Sequence, residues 1–480
     1  MNLNNTAQDF QHFENVDELR NCTRCGFCQP TCPTFIQTGR NEASSPRGRI
    51  ALIQAVVDGQ LEPSERFERE LSLCLGCRAC ESACPSGVQY GQILEEARAI
   101  MAKRKRYSWP VSMLRSFFFK TLIPHQRWLK GMGVMLWAYQ RFGIQWVVRQ
   151  SGLLSLLKKI NKKWQPFLEM EAVMPRMPSP RTLWQSRRER KAHLHQNATN
   201  HTDHPEYDEQ APNPKHPEHV KHPVAFFTGC IMDVMFHETN ERTLKLLKHR
   251  GGNPTVPQQQ TCCGALHAHA GEFDKAQSLA KQNIAAFEQA CHAIQDKDSL
   301  IPIITNAGGC GAFLQQYPHL LAHEPEWHDR AVRFAECIQD LSSWLVDQGT
   351  KTQKTQKNRA KLNLMTYQDS CHLRHGMNVH EAPRKLLKSV DENSYIELPQ
   401  ADHCCGSAGI YNLIESEMAT HILADKMEQV NATEAITIVT SNPGCLLQMK
   451  LGIRKFGRPD RHLQAVHIAD VLYEDMIQKK

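Results

Sequence analysis

Eight cysteines in two matching ladders carry the plainest chemistry in this sequence. Cys22, Cys25, Cys28 and Cys32 follow C-x2-C-x2-C-x3-C and are closed by Pro33. Cys74, Cys77, Cys80 and Cys84 repeat that spacing 52 residues later and are closed by Pro85. Three thiolates at this spacing let one short loop reach three corners of a [4Fe–4S] cubane, and a remote fourth thiolate completes the cage. Where two such runs share a domain, the fourth cysteine serves the other cluster. That rule assigns Cys22, Cys25, Cys28 and Cys84 to cluster 1, and Cys74, Cys77, Cys80 and Cys32 to cluster 2. Zinc is the rival metal, but it takes paired C-x2-C units in a tetrahedral site, and a three-plus-one ladder ending in Cys-Pro does not suit it. Two cubanes relay single electrons, and the ladders themselves offer no catalytic side chain.

Eight further cysteines fall in an internal repeat. "VAFFTGC" and "LNLMTYQDSC" are apolar runs ending at Cys230 and Cys371. Each is followed by a double cysteine with glycine, "TCCGALHAHAG" (Cys262, Cys263) and "HCCGSAGIYN" (Cys404, Cys405). Each repeat then reaches a β-branched run closed by a third landmark, Cys310 in "IPIITNAGGC" and Cys445 in "AITIVTSNPGC". Apolar runs alternating with helical stretches predict α/β units with parallel strands. The cysteines then lie at strand ends, facing the crevice where such sheets bind ligands. Four thiolates per repeat are enough for a further cluster; a scaffold or partner surface with unligated thiols is the alternative. Cys291 and Cys337 read as buried thiols outside the repeats. His267, His269, His372 and His403 read as hydrogen-bonding neighbours of the motif cysteines rather than ligands, given the sulfur preference of iron–sulfur sites.

These motifs need elements to hold them, and composition divides the 480 residues into segments. Residues 15–100 contain the ladders. Residues 101–192 hold six of the eight tryptophans and twenty Lys or Arg against three acids, although the whole chain is only +7. Residues 193–223 are rich in His and Pro and read as a disordered linker. Residues 224–350 and 361–475 are the two repeats. The fold expected is therefore multidomain α+β and α/β: a helical two-[4Fe–4S] head, a basic helical middle, a linker and two tandem α/β cysteine-rich domains. Arg40, Arg47 and Arg49, in "GRNEASSPRGRI", could face cluster charge or form a solvated basic loop. No apolar run approaches the length of a membrane span, and the polar beginning MNLNNTAQDF resembles no export signal, so a reducing cytoplasm is expected. The middle segment mixes Trp and Phe with Lys and Arg, including Trp137, Phe142 and Trp146 and the run Lys158, Lys159, Lys162 and Lys163 around Leu153, Leu154 and Leu157. It fits peripheral contact with the inner face of a membrane, a partner surface, or a helical pair packed on the head. No base-reading motif accompanies the charge, so nucleic acid is not expected.

The ladders with "SSPRGRIALIQAV" between them and "CPSGVQYGQILEEAR" after them resemble the iron–sulfur subunits of glycolate oxidase. The C…CCG…C repeats resemble the cysteine-rich domains these subunits share with heterodisulfide reductase and anaerobic glycerol-3-phosphate dehydrogenase subunits, and "CCGALHAHAGE" is close to the glycolate oxidase version. The resemblance implies an electron-transfer subunit serving an FAD-binding partner that oxidises glycolate to glyoxylate and feeds a respiratory chain. Lactate or glycerol-3-phosphate as the partner's substrate, or a catalytic heterodisulfide-reductase-like subunit, are the alternatives. In the reductase relatives each full motif ends in C-x-x-C; here Ala307 and Asn442 stand where the first cysteine of that pair would be. No G-x-G-x-x-G opens a βα unit and no Walker loop is present, which places any flavin on another chain.

Overall fold

In the computed structural model the described residues are 9–105, 107–151, 164–199, 222–292, 301–349 and 364–478. The ladder segment forms a helical head. Ser45 caps helix α1 (Pro46–Val57) by accepting the Gly48 N–H at 3.0 Å, with Pro46 at the first helical position, a sequence pattern that starts helices. Ser64 caps α2 (Glu65–Leu73) through the Phe67 N–H, and α3 (Tyr90–Arg104) follows the second ladder. Phe10, Leu19, Ile53, Phe67, Leu71, Ile93 and Leu94 close a core beneath the ladder loops. Of the basic stretch in the sequence reading, Arg47 and Arg49 lie in the first turn of α1 and Arg49 is 0% exposed, while Arg40 precedes the helix in an exposed turn.

Helices α4 (Trp109–Ser116), α5 (Gln126–Arg141) and α6 (Ile144–Gln150) follow. Their apolar side does not pack as a pair on the head. Ile123 and Leu129 join the core of the first repeat with Phe227, Cys230, Val234 and Cys262. At Gly133 an added Cβ would sit 2.8 Å from Val234 Cγ1, so a close helix approach requires glycine there. Trp137 packs partly into this core, while Phe142 and Trp146 stay exposed. Lys158, Lys159, Lys162, Lys163 and the leucines among them lie outside the described residues. Helix α7 (Pro180–Thr199) extends into the stretch expected as linker, and the first strand already begins at His222. The rest of that stretch, 200–221, is outside the described residues.

The first repeat is a four-stranded parallel sheet of β1 (His222–Phe227), β2 (Gly252–Thr255), β3 (Ile303–Thr305) and β4 (Ile338–Asp340), in the order β2-β1-β3-β4. Helices α8 (His237–His249), α9 (Phe273–His292) and α10 (Gly308–Leu314) connect it. The second repeat has β5 (Met365–Tyr367), β6 (Thr437–Thr440) and β7 (Gln464–His467), also parallel, with α11 (Ser416–Ala432), α12 (Pro443–Phe456) and α13 (Ile468–Gln478). The counterpart of β2 shrinks here to a single bridge, Met365 to Tyr395. Parallel strands buried on both faces explain the continuous apolar runs in the sequence.

Candidate metal centre

Both ladder loops take the same backbone path. The second and fourth residues after the first cysteine have positive φ: Arg24 at 57° and Gly26 at 89°, then Gly76 at 64° and Arg78 at 63°. Left-handed turns at matching positions curl each loop so that its three sulfurs surround one space instead of pointing outwards. One cavity of about 400 Å³ is lined by Cys22, Cys25, Cys28, Cys80 and Cys84, with Arg47 and Tyr90. A second of about 310 Å³ is lined by Cys32, Cys74, Cys77 and Cys80, with Arg49 and Tyr90. Cys84 therefore stands with the first trio and Cys32 with the second, and Cys80 borders both. All of these cysteines are free thiols. Among the described residues no three His, Cys, Asp or Glu side chains converge on a single-ion site; a cubane instead needs sulfurs spread around a cage, each bound to a different iron.

Three observations test whether these residues fit such a cluster. Burial pushes the Cys77 and Cys80 thiols well above their usual range, so an ionised sulfur there needs a cation beside it. Arg49 donates from Nε to the Glu70 carbonyl at 2.7 Å and from Nη2 to Thr34 Oγ1 at 3.0 Å. Its Nη1 is buried without a partner, and Arg49 lines the second cavity. An orphaned cationic donor at the wall of a thiol cage matches an anionic cluster with acceptor sulfurs. At the first cage Arg47 is held by Glu42 at 2.7 Å and donates to the Arg24 carbonyl at 3.0 Å. The residues fit.

In each repeat the four cysteines come together. Cys230 Sγ lies 3.5 Å from Cys262 Sγ. The Cys263 thiol is pulled well below its usual range by hydrogen bonds from Cys262 and then Cys310. The second repeat chains Cys371 to Cys404, Cys404 to Cys405 and Cys405 to Cys445. Gly264 and Gly406, both with positive φ, turn their N–H groups onto Cys262 and Cys404 at 3.5 and 3.4 Å. At the positions that lack a cysteine, Ala307 is buried, while Asn442 donates to Cys445 Sγ at 3.6 Å and accepts the Gly309 N–H at 3.1 Å, tying the two repeats together. Cys291 and Cys337 are half-buried rather than buried.

Of the four histidines, His372 meets a motif cysteine and the others meet different partners. His267 Nε2 meets the Phe119 carbonyl at 2.8 Å, His372 Nδ1 is 3.5 Å from Cys371 Sγ, and the His403 carbonyl accepts from Gln368 Nε2 at 3.1 Å. His269 pairs with Glu95 of α3 at 3.0 Å. Burial alone would raise Glu95, but His269 and the charges of Arg78 and His319 hold it below the usual carboxylate range. Burial drives His372 down to about 3, so it is neutral. Sequence reasoning missed two charged groups. One is Arg49 as a wholly buried side chain. The other is Lys426, 2% exposed on α11, lowered to about 8 by burial despite nearby Cys405 and Cys404. A lysine between Leu423 and Met427 on the apolar side of α11 was the available signal.

The second ladder docks on the second repeat. Leu75, Cys77, Cys371, Cys404 and Tyr411 share one apolar cluster. Tyr411 Oη donates to the Leu73 carbonyl at 2.9 Å, and Ser82 Oγ is 2.8 Å from His375 Nδ1. The first repeat meets the head along α3, where Gly271 lies against Ala102 and Arg98.

Comparison with known proteins matches three family models. Residues 18–88 match a 4Fe-4S dicluster domain, residues 110–174 the linker region of the glycolate oxidase iron-sulfur subunit, and residues 224–315 and 365–450 the cysteine-rich domain. A probable glycolate oxidase iron-sulfur subunit of Bacillus subtilis (strain 168) is 47% identical over 466 residues, which is 97% of this chain and 96% of that protein. The glycolate oxidase iron-sulfur subunit of Escherichia coli (strain K12) is 27% identical, over 89% of this chain and 88% of its own. Lactate utilization protein A of Geobacillus kaustophilus is 30% identical over 98% of its length but only 52% of this chain.

Proposed function

The chain belongs to the family of glycolate oxidase iron–sulfur subunits, and from that premise we propose how its residues serve the electron transfer that family membership implies. It is the iron–sulfur subunit of an oxidoreductase complex, working with a partner oxidase subunit. When bound, [4Fe–4S] clusters supply one-electron relays between donor and acceptor. The residues proposed to hold them are Cys22, Cys25, Cys28 and Cys84 for one cluster, and Cys74, Cys77, Cys80 and Cys32 for the other. The lining of the two cavities supports that crossed assignment. Arg47 and Arg49 set positive charge beside the cages, and the head core keeps water away from Cys74 and Cys80. The cysteine sets of the two repeats are proposed as further ligands, Cys230, Cys262, Cys263 and Cys310 in one and Cys371, Cys404, Cys405 and Cys445 in the other. We also propose the division into units at 15–100, 101–192, 224–350 and 361–475, with 193–223 between them.

The flavin belongs, on this reading, to the partner: FAD takes the electron pair from glycolate there, and this chain receives electrons singly. Glycolate is favoured over lactate because the match to the linker region at 110–174 carries the glycolate oxidase description, whereas the lactate relative spans half of the chain. That linker match is the observation on which the substrate choice rests. No helix among the described residues is long and apolar enough to cross a membrane. Peripheral contact is proposed instead for α4 to α6, where Trp109 (76% exposed), Met135 (73%) and Phe142 (71%) stand in water beside exposed Lys120, Arg127 and Arg141. Aromatic side chains with a cationic surround suit an anionic lipid surface. The test is anaerobic purification with the partner, followed by glycolate, lactate or glycerol-3-phosphate in turn. Bleaching of the cluster absorbance by glycolate alone is the expected result. Clusters that dithionite reduces but none of the three substrates bleaches, with no flavin copurifying, would overturn the reading.

A further inference from the structure

We propose that the open side of the first ladder loop, with Phe27 at its centre, is the surface on which the partner oxidase subunit docks to deliver electrons to this chain. The proposal rests on the electron-transfer reading above and adds to it the place where the donor sits.

The two ladder loops share one backbone path but not one environment. Position by position, Thr23 matches Leu75, Arg24 matches Gly76, Cys25 matches Cys77 and Phe27 matches Ala79. In the second loop Leu75 is 6% and Ala79 7% exposed. Leu75 and Cys77 share the apolar cluster of Cys371, Cys404 and Tyr411, and the helical turn Ala79–Ser82 packs against residues 372–376. The second repeat thus covers that loop. Among the described residues nothing covers the first. Thr23 and Arg24 are exposed, Phe27 is 66% exposed, and Cys25 is the exposed one of the eighteen cysteines.

A single exposed apolar residue is ordinary on a protein surface. Phe27 differs by its place. It lies two residues from Cys25, and the exposed Pro85 borders the same cage. Electron transfer adds a requirement of proximity. No dinucleotide-binding motif is present in this chain, so electrons come from a group on another chain, and that group has to approach a cage wall. The wall formed by Cys77 is taken up by the second repeat, and the wall formed by Cys25 is open. One loop docks within the chain through apolar residues; its open counterpart presents an aromatic ring, the residue class that anchors protein interfaces. Each crossing moves one electron from the partner's reduced flavin to this chain, with no bond made or broken here. Two crossings, with two protons released on the partner's side, complete the oxidation of one glycolate.

The test uses the full chain with its clusters and the partner subunit purified separately. Calorimetric titration gives the affinity of the two, and hydroxyl-radical oxidation read by mass spectrometry reports the exposure of Phe27 and of Ile477, an exposed residue of α13. F27S should bind the partner more weakly by about tenfold or more, the loss of one aromatic anchor at an interface centre, with its cluster EPR spectrum and potentials unchanged. I477S should bind as wild type. Oxidation of Phe27 should fall when the complex forms and that of Ile477 should not. An F27S affinity within about twofold of wild type, or a Phe27 that stays oxidisable in the complex, overturns the proposal and leaves the electron-transfer reading intact. Protection of Phe27 in the chain alone as its concentration rises gives the face to a second copy and overturns it as well. Wild-type clusters that the partner and glycolate together leave unreduced bring down the underlying reading, and this proposal with it.

Discussion

Replacing Arg49 by methionine should lower the reduction potential of the cluster held by the second ladder. The side chain is wholly buried and lines that cage. Burial works against its charge, yet Cys74, Tyr90, Cys32 and Glu70 around it keep the guanidinium protonated more firmly than usual. An added electron makes the cluster more negative, so a fixed cation beside it favours reduction. A unit charge at about 6 Å and an effective dielectric near 20 is worth about 3 kcal/mol. At 1.36 kcal/mol and 59 mV per tenfold, that converts to about 120 mV for a one-electron couple. R49M also strands the Glu70 carbonyl, costing about 1–3 kcal/mol of stability, while the Thr34 hydroxyl keeps its bond to the Ser44 carbonyl. R49K separates the two effects, since lysine keeps the charge but not the fork. The assay is an EPR-monitored redox titration of the intact holoprotein alongside a denaturant melt. R49M should move the potential down by about 100 mV while R49K, although destabilised, stays near wild type. An R49M potential within about 20 mV of wild type, with the cluster intact, would show that the charge is screened far beyond the dielectric assumed and would refute the reasoning.

Four other outcomes follow from the same contacts. C84S should disturb the spectrum of the cluster built on Cys22, Cys25 and Cys28, and C32S that of the other; the reverse pattern in EPR of each variant would exclude the crossed cages. Asp340 caps Leu341–Asp347 through the Ser342 N–H at 2.8 Å, but its second oxygen is buried without a partner, and burial raises the carboxyl from 3.8 to about 6. The unfolded chain ionises first as pH rises, so stability falls between about pH 4 and 6 and stays reduced above it. D340N keeps the cap and should be more stable than wild type by up to about 3 kcal/mol at pH 7.5, with no difference below pH 4 in denaturant melts. At Gly308 an added Cβ would sit 2.7 Å from Leu373 Cβ and 2.8 Å from Ser370 Oγ; G308A should cost about 1–3 kcal/mol by forcing the two repeats apart, read as a lower melting temperature. Replacing Trp109, Phe142 and Trp146 together by serine should abolish sedimentation with anionic vesicles while leaving circular dichroism unchanged, and retained sedimentation would place lipid contact elsewhere.

What could be read in advance was local. The ladders and CCG turns are short-range patterns, and their chemistry depends on spacing along the chain. Parallel strands were legible because strands buried on both faces lack alternation. The partnering of distant segments was not. Nothing in "MLWAYQRFGIQW" tells which surface its apolar side covers, and the choice of the first repeat over the head rests on Gly133 meeting Val234. Arg49 reads equally as a cluster-facing or a solvated charge until the Glu70 carbonyl and Thr34 hydroxyl are brought to it from 21 and 15 residues away. The third and fourth strands of the first repeat are three residues each, and β4 is too short to register as a pattern.

The hydrogen bond from Tyr411 to Leu73 joins residues 338 positions apart, which has a consequence for the order of assembly in the cell. At 5–20 residues per second, the surface that covers Leu75 and Cys77 leaves the ribosome roughly 17 to 68 s after the second ladder does. Throughout that interval the wall of the second cage is uncovered. Delivery of iron and sulfide then has a window that closes when translation ends, and a chain that finishes before its cages are filled would have to reopen the seam between head and second repeat to be loaded.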